Sequence, residues 1–365
     1  MRIGVPKEIA PNERRVALTP EVAGRLVKGG YEIVIERGAG SAAFLPDAAY
    51  SAAGANVSDR SSVFGQADIV VQVQSPQTAE LGNYREGSAL VAFFQPAPDY
   101  VRQLAQRKLT AFTLVLLPRI TRAQPMDVLS SQATVAGYKA VLLAATATGR
   151  LLPMLVTAAG TLPAARVLVL GAGVAGLQAI ATARRLGAIV SAFDVRPAVK
   201  EQVQSLGATF LEMAIAEHAE TAGGYAKELS EETHRKELEF LAKAVKDADI
   251  VISTAAIPGK KAPVLITAAA VQGMKPGAVI VDLAAETGGN CEVTEPGAEI
   301  VRNGVSILGP LNLASTLPFD ASQMYARNLA AFLGHVVQDG RLRLDFEDQI
   351  IRDTCVTHAG EVRKS

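Results

Sequence analysis

Arg119, Arg122, Gln124, Asp127, Ser130, Ser131 and Gln132 crowd into one short stretch, Leu117–Gln132, LPRITRAQPMDVLSSQ. Guanidinium, amide, carboxylate and hydroxyl groups together offer donors and acceptors, which is chemistry for holding a polar ligand. The stretch joins an apolar run, Leu109–Leu117, that reads as a buried strand to an Ala-rich run, Ala133–Thr148, that reads as a long helix. A short loop aimed by two rigid elements is a usual place for binding residues. A helix N-terminus capped by Asp127 or Ser130, with solvated arginines, accounts for the same residues without a ligand.

A second constellation lies in Arg166–Arg196, RVLVLGAGVAGLQAIATARRLGAIVSAFDVR. Val167–Leu170 is strand-like, and Gly171, Gly173 and Gly176 form GxGxxG, with Val174 inside the motif. A helix and a second strand follow, and then Asp194, Val195 and Arg196. The first glycine permits a tight turn, the second admits a pyrophosphate, and the third lets helix and strand pack closely. Asp194 can accept hydrogen bonds from ribose hydroxyls and would repel a 2′-phosphate, which favours NAD(H). Arg196 works against that preference, because a nearby arginine can accommodate the phosphate. Small residues after a later strand, including Ala255 and Ala256, would let a cofactor approach; a tight turn is served equally by such residues.

These groups need a frame. Apolar runs at Arg2–Val5, Tyr31–Ile35, Ile69–Val73, Leu90–Phe94 and Leu109–Leu117 alternate with helical patterns, and the theme repeats at Val167–Leu170, Ile189–Phe193, Ile250–Ser253, Val279–Leu283 and Ser306–Leu308. The fold class predicted is α/β, with two Rossmann-type parallel-sheet domains joined by long helices. The helix predicted over Ala321–Val337 can return the chain to its first domain. The first domain is then discontinuous, residues 1–132 with 325–365, around a dinucleotide domain of 133–324. Glu217–Glu239, with Gly223, Gly224 and Tyr225 among many charges, fits a mobile flap or a solvated helix with a glycine break.

Thirty-six basic residues balance thirty-six acidic ones, so no general field recruits nucleic acid or anionic lipid. Cys291 and Cys355 lack CxxC spacing, which argues against zinc and against a disulfide framework. A cytoplasmic setting fits, and the longest apolar region, Ala136–Pro163, is broken by Lys139, Arg150 and Pro153, so no direct membrane insertion is expected.

The opening IGVPKE...NERRVALTP and the segment GAGVAGLQAIATARRLGA resemble the alanine dehydrogenase and nicotinamide nucleotide transhydrogenase superfamily, and the likeness runs through essentially the whole chain. PRITRAQPMDVLSSQ resembles the nicotinamide-facing loop of the NAD(H)-binding component of proton-translocating transhydrogenases. The resemblance implies that Arg119, Gln124, Asp127 and Ser130 act at the nicotinamide and that the flap carries a tyrosine, matched by Tyr225. It also implies a homodimer, an NADP(H)-binding partner subunit, and membrane subunits that carry the proton. The activity implied is Re/Si-specific transhydrogenation at the inner membrane, reached through those partners.

Alanine dehydrogenase is the rival within the superfamily. Oxidising an amine carbon removes a proton as well as a hydride, so that enzyme needs a general base and a cation for the substrate carboxylate. Its pattern places a Lys before a Pro and a His after the next strand. This chain has Gln74 before Ser75-Pro76, and Gln95 after Leu90–Phe94. Arg15 remains, Glu286 replaces an aspartate, and His218, His234, His335 and His358 offer no obvious replacement. Hydride transfer between two nicotinamides requires no general acid or base, so loss of those groups suits transhydrogenation. An NAD(H) sensor without turnover is the further alternative.

Overall fold

The computed structural model describes residues 1–213, 230–257 and 260–364. The chain divides into one unit of Met1–Gln132 with Ala314–Ser365 and a second of Ala133–Leu313.

The first unit contains an eight-stranded sheet. Its spatial order is Glu361–Val362, Cys355–His358, Thr110–Thr113, Ala89–Ala92, Ile69–Val71, Arg2–Val5, Glu32–Glu36, Asn56–Ser58. The strands from Thr110 to Asn56 in that order are parallel, and the two C-terminal strands add antiparallel at one edge. Ile69–Val71 and Ala89–Ala92 are buried throughout, as expected where helices cover both faces of a parallel sheet. The core on one face combines Ile3, Val5, Ile33 and Phe112 with Tyr325, Leu329 and Phe332 of the helix Pro318–Val336.

The second unit has a seven-stranded sheet. The order is Thr209–Phe210, Ile189–Phe193, Arg166–Leu170, Ile250–Ser253, Val279–Asp282, Val305–Leu308, Glu299–Arg302, and only the last strand is antiparallel. In both sheets the strand order reverses direction beside the first strand. The carboxyl ends of the two strands at that reversal are where an open α/β sheet receives ligand. These ends are Val5 and Val71 in the first unit, and Leu170 and Ser253 in the second.

Three expectations need correction. The strand predicted over Leu109–Leu117 stops at Thr113, whose hydroxyl accepts from the Val115 amide and turns the chain into a 3-10 segment, Leu114–Leu116. The helix expected from Ala133 starts at Val128 and runs to Ala147, so Ser130, Ser131 and Gln132 are helical rather than loop residues. The return to the first unit falls at Ala314, not 325. The reason is local packing: Ser315 Oγ accepts from the Arg14 amide at 2.7 Å, Ser322 Oγ accepts from the Val16 amide at 3.0 Å, and Tyr325 donates to the Gln72 carbonyl at 2.6 Å.

Val128–Ala147 is, among the described residues, the one helix long and apolar enough to cross a membrane by length and composition. It also carries Ser130, Ser131, Gln132 and Lys139, and Ala140, Val141 and Ala144 are buried in the core of the second unit. A core helix meets the same test of length and composition.

Candidate functional site

In the second unit the fingerprint glycines sit at the strand reversal, each constrained differently. Gly171 has φ +92°, and a Cβ there would lie 2.8 Å from Thr254 Oγ1 and 3.0 Å from the Ala255 amide. A Cβ on Gly176 would stand 1.9 Å from the Gly171 carbonyl oxygen, so helix Val174–Arg185 can approach its strand only if this residue lacks a side chain. Gly173 differs: it has φ −73°, and a Cβ added there would meet no heavy atom within 4 Å. Neither strain nor packing within the chain calls for glycine there. Close approach of a phosphate to the amides that open the helix does, and this supports the fit of a dinucleotide.

Asp194 closes the far end of the same turn. Its Oδ2 accepts from the Ala172 amide at 2.7 Å, which ties the acid to the glycine turn itself. Its Oδ1 accepts from the Arg196 amide at 2.9 Å and from Arg196 Nε at 2.8 Å, while Arg196 Nη2 donates to Oδ2 at 2.7 Å. Both side chains are largely buried. The acid expected to stand ready for ribose is therefore bracketed by its neighbour. Val195 packs against the core, whereas Val174 is well exposed at the helix start. Alongside, His234 Nδ1 lies 2.8 Å from Glu237 Oε2, and Phe240 packs on Phe193. These residues belong to helix Glu231–Asp247, so the C-terminal part of the expected flap is regular helix. Gly224, Tyr225 and His218 lie outside the described residues.

The neighbouring strand ends are held by residues that the sequence patterns did not single out for that purpose. Fully buried Asp282 accepts from Ser253 Oγ and from the amides of Ala284, Asn290 and Cys291. Asn290, also fully buried, accepts from the Ala255 amide at 3.0 Å and donates to the Ala255 carbonyl at 2.9 Å. Ala255 is thereby fixed beside Gly171, while Ala256 is exposed. A lone Asn after two glycines carries no sequence signal for this role.

In the first unit the polar loop is rigidly seated. Ala123, Met126 and Val128 are buried in the core, and Asn328 Nδ2 donates to the Pro125 carbonyl at 2.7 Å. Arg122 Nη1 donates to Asp348 at 2.7 Å. Burial would raise the Asp348 carboxyl, but bonds from Arg122, His335 and the Ile350 amide outweigh it and bring the group to about 2. Arg119 and Gln124 are exposed on this anchored frame. Asp127 accepts from the Ser130 amide at 2.9 Å and from Ser130 Oγ at 2.6 Å, so the capping reading holds for this pair.

At the strand reversal of the first unit, a buried polar network replaces the residues a dehydrogenase would need. Glu13 accepts from Arg15 Nε at 2.8 Å, Arg15 Nη2 at 2.6 Å and Gln74 Nε2 at 2.8 Å, and Arg15 Nη1 donates to Gln132 Oε1 at 2.8 Å. Glu8 accepts from the Val73 amide at 2.6 Å; burial pushes its carboxyl up to about 8, with Glu13 adding to the effect. Gln95 and Glu286 are exposed. His335 contacts Asp348, and His358 contacts Thr110. The charge pair Glu13 and Arg15 within NERRVALTP was the available signal for this network.

Comparison with known proteins matches residues 4–136 to "Alanine dehydrogenase/PNT, N-terminal domain" and residues 140–365 to "Alanine dehydrogenase/PNT, C-terminal domain". The chain is 50% identical to the separately encoded first part of NAD(P) transhydrogenase subunit alpha of Rhodospirillum rubrum, over 99% of this chain and 97% of that one. It is 34% identical to alanine dehydrogenase of Mycobacterium tuberculosis over 81% of this chain and 76% of that one. The crystal structure of a transhydrogenase from Sinorhizobium meliloti is similar with TM-score 0.90 and 45% identity, covering 99% of this chain and all of that one.

Proposed function

Because the chain belongs to the alanine dehydrogenase/PNT family, we propose that it is the NAD(H)-binding subunit of a proton-translocating transhydrogenase, passing hydride to NADP+ on a partner subunit. The glycine turn and the amides that open helix Val174–Arg185 receive the diphosphate, and Asp194, Val195 and Arg196 face the adenosine end. Arg119, Asp127 and Ser130 hold the carboxamide, and Gln124, with a donor and an acceptor on one amide, bridges toward the ribose or the incoming nucleotide. Gly224 and Tyr225 complete the cofactor contacts from the flap, while Ala255 and Ala256 leave room beside the turn. The dihydronicotinamide supplies the hydride, so the chain's own residues are left to bind, orient and exclude water.

The observation that carries this reading is the Gln74–Glu13–Arg15–Gln132 network. The guanidinium that could hold a substrate carboxylate is bonded to an internal carboxylate, and an amide stands where a second cation would be needed. A substrate amino acid therefore lacks both its anchor and its proton acceptor, whereas hydride exchange between nicotinamides requires neither. Proton translocation and Re/Si stereochemistry would come from assembly with the NADP(H)-binding and membrane subunits, which place this chain at the cytoplasmic face of the inner membrane.

A homodimer is supported by the hairpin Leu155–Thr157 with Gly160–Leu162. Met154, Val156 and Leu162 are 61%, 73% and 51% exposed, and no charged residue occurs between Arg150 and Arg166. A second copy of the chain would cover this apolar arm, since a lone two-stranded hairpin is marginal in water.

The test mixes the protein with NADH, NADP+ and a purified NADP(H)-binding partner, and separately with NADH, pyruvate and ammonia. NADH oxidation is expected in the first mixture only; oxidation in the second would overturn the reading. Gln124→Asn should slow hydride transfer in the first mixture while leaving NADH affinity nearly unchanged. Equal losses in both would make Gln124 a simple cofactor ligand.

A further inference from the structure

We propose that Arg196 competes with the ribose for Asp194, so that the Asp194–Arg196 pair, rather than the acid alone, sets the choice between a 2′-hydroxyl and a 2′-phosphate nucleotide. The inference rests on the dinucleotide reading above and deepens it.

An ionised carboxylate has about four acceptor sites. The Ala172 amide, the Arg196 amide, Arg196 Nε and Arg196 Nη2 supply that many donors to Asp194. Two ribose hydroxyls can bond to this carboxylate only if donors leave. The two amides are fixed by the backbone, and Ala172 stands inside the glycine turn. The guanidinium alone can leave by side-chain rotation. NADH binding therefore includes the cost of breaking a bidentate ion pair whose partners are 14% and 5% exposed.

The same pair alters the electrostatics of discrimination. A bare Asp194 would repel the 2′-phosphate, but Asp194 with Arg196 presents no net charge. Once released, the guanidinium also offers a planar fork that suits phosphate. Nearby Glu237 is held above the ordinary carboxylate range by burial, with Asp194 contributing, and His234 is its hydrogen-bond partner. Removing Arg196 would thus leave the adenosine end markedly more acidic.

Equilibrium dialysis of the purified protein with NADH and with NADPH tests this on Arg196→Met, Arg196→Lys and Asp194→Asn. Met keeps the apolar stem without the charge; Asn keeps an oxygen for the Ala172 amide. Arg196→Met should bind NADH about fivefold more tightly and NADPH about fivefold more weakly, the scale of a partly buried ion pair. Arg196→Lys, a point charge without the fork, should fall between Met and the parent. Asp194→Asn should weaken NADH about tenfold and strengthen NADPH. Arg196→Met that binds NADH no better than the parent, while Asp194→Asn still weakens it, overturns the competition alone. Asp194→Asn with unchanged NADH affinity overturns the ribose-site assignment beneath it.

Discussion

Asp127 serves the helix and the loop at once. Its oxygens accept from the amide and hydroxyl of Ser130, which satisfies the first turn of Val128–Ala147. Asp127→Ala should therefore lower unfolding free energy by about 1 kcal/mol in urea melts, and Asp127→Asn by a few tenths, whatever either does to turnover. Glu8 makes a different prediction. Its folded carboxyl titrates near 8, above its ordinary value of 4.5, mainly through burial. Between those values the native state binds the extra proton, so this group's contribution to stability falls as pH rises from 4.5 to 8. Urea melts at pH 5 and pH 8 should show that loss in the parent and a smaller one in Glu8→Gln. At this scale the types of Arg119, Gln124 and Asp127 were readable as binding chemistry, but Asp127's cap geometry was not separable from it. The ion pair over Asp194 was not readable either, because adjacency in sequence does not specify rotamer.

The glycine turn separates structural from ligand-driven constraint within one element. Gly176→Ala places a methyl 1.9 Å from the Gly171 carbonyl oxygen, so the helix must move; soluble yield and Tm should fall sharply. Gly173→Ala meets no heavy atom within 4 Å and should leave Tm within a degree or so while weakening NADH binding about tenfold. Loss of stability in both, with binding intact in survivors, would remove the phosphate-approach argument. The central strands were legible from continuous apolar runs, because full burial leaves a compositional trace. Short edge strands such as Asn56–Ser58, Thr209–Phe210 and Glu361–Val362 were not, since partial exposure permits ordinary surface residues there.

Across the whole molecule, the discontinuous first unit and the exposed hairpin govern behaviour. The C-terminal strand Cys355–His358 pairs with Thr110–Thr113, so truncation before Cys355 would expose the edge of the first sheet. Val156→Lys places a charge on the most exposed apolar residue of the hairpin. Sedimentation velocity should then show the parent as a dimer and the variant shifted toward monomer, with monomer Tm retained; a parent that is already monomeric removes the dimer proposal.

The sequence by itself determined two βα-repeating halves, the fingerprint at Gly171–Gly176, and a polar loop between apolar elements, because periodicity and glycine spacing are local records of burial and close approach. Only the tertiary structure decided that Arg15 is spent on Glu13 and Gln132, that Asn290 fixes Ala255, and that Arg196 covers Asp194. The contacts of Arg15 with Gln132 and of Asn290 with Ala255 join residues distant in sequence, and the cover over Asp194 depends on side-chain direction; neither leaves a periodic trace.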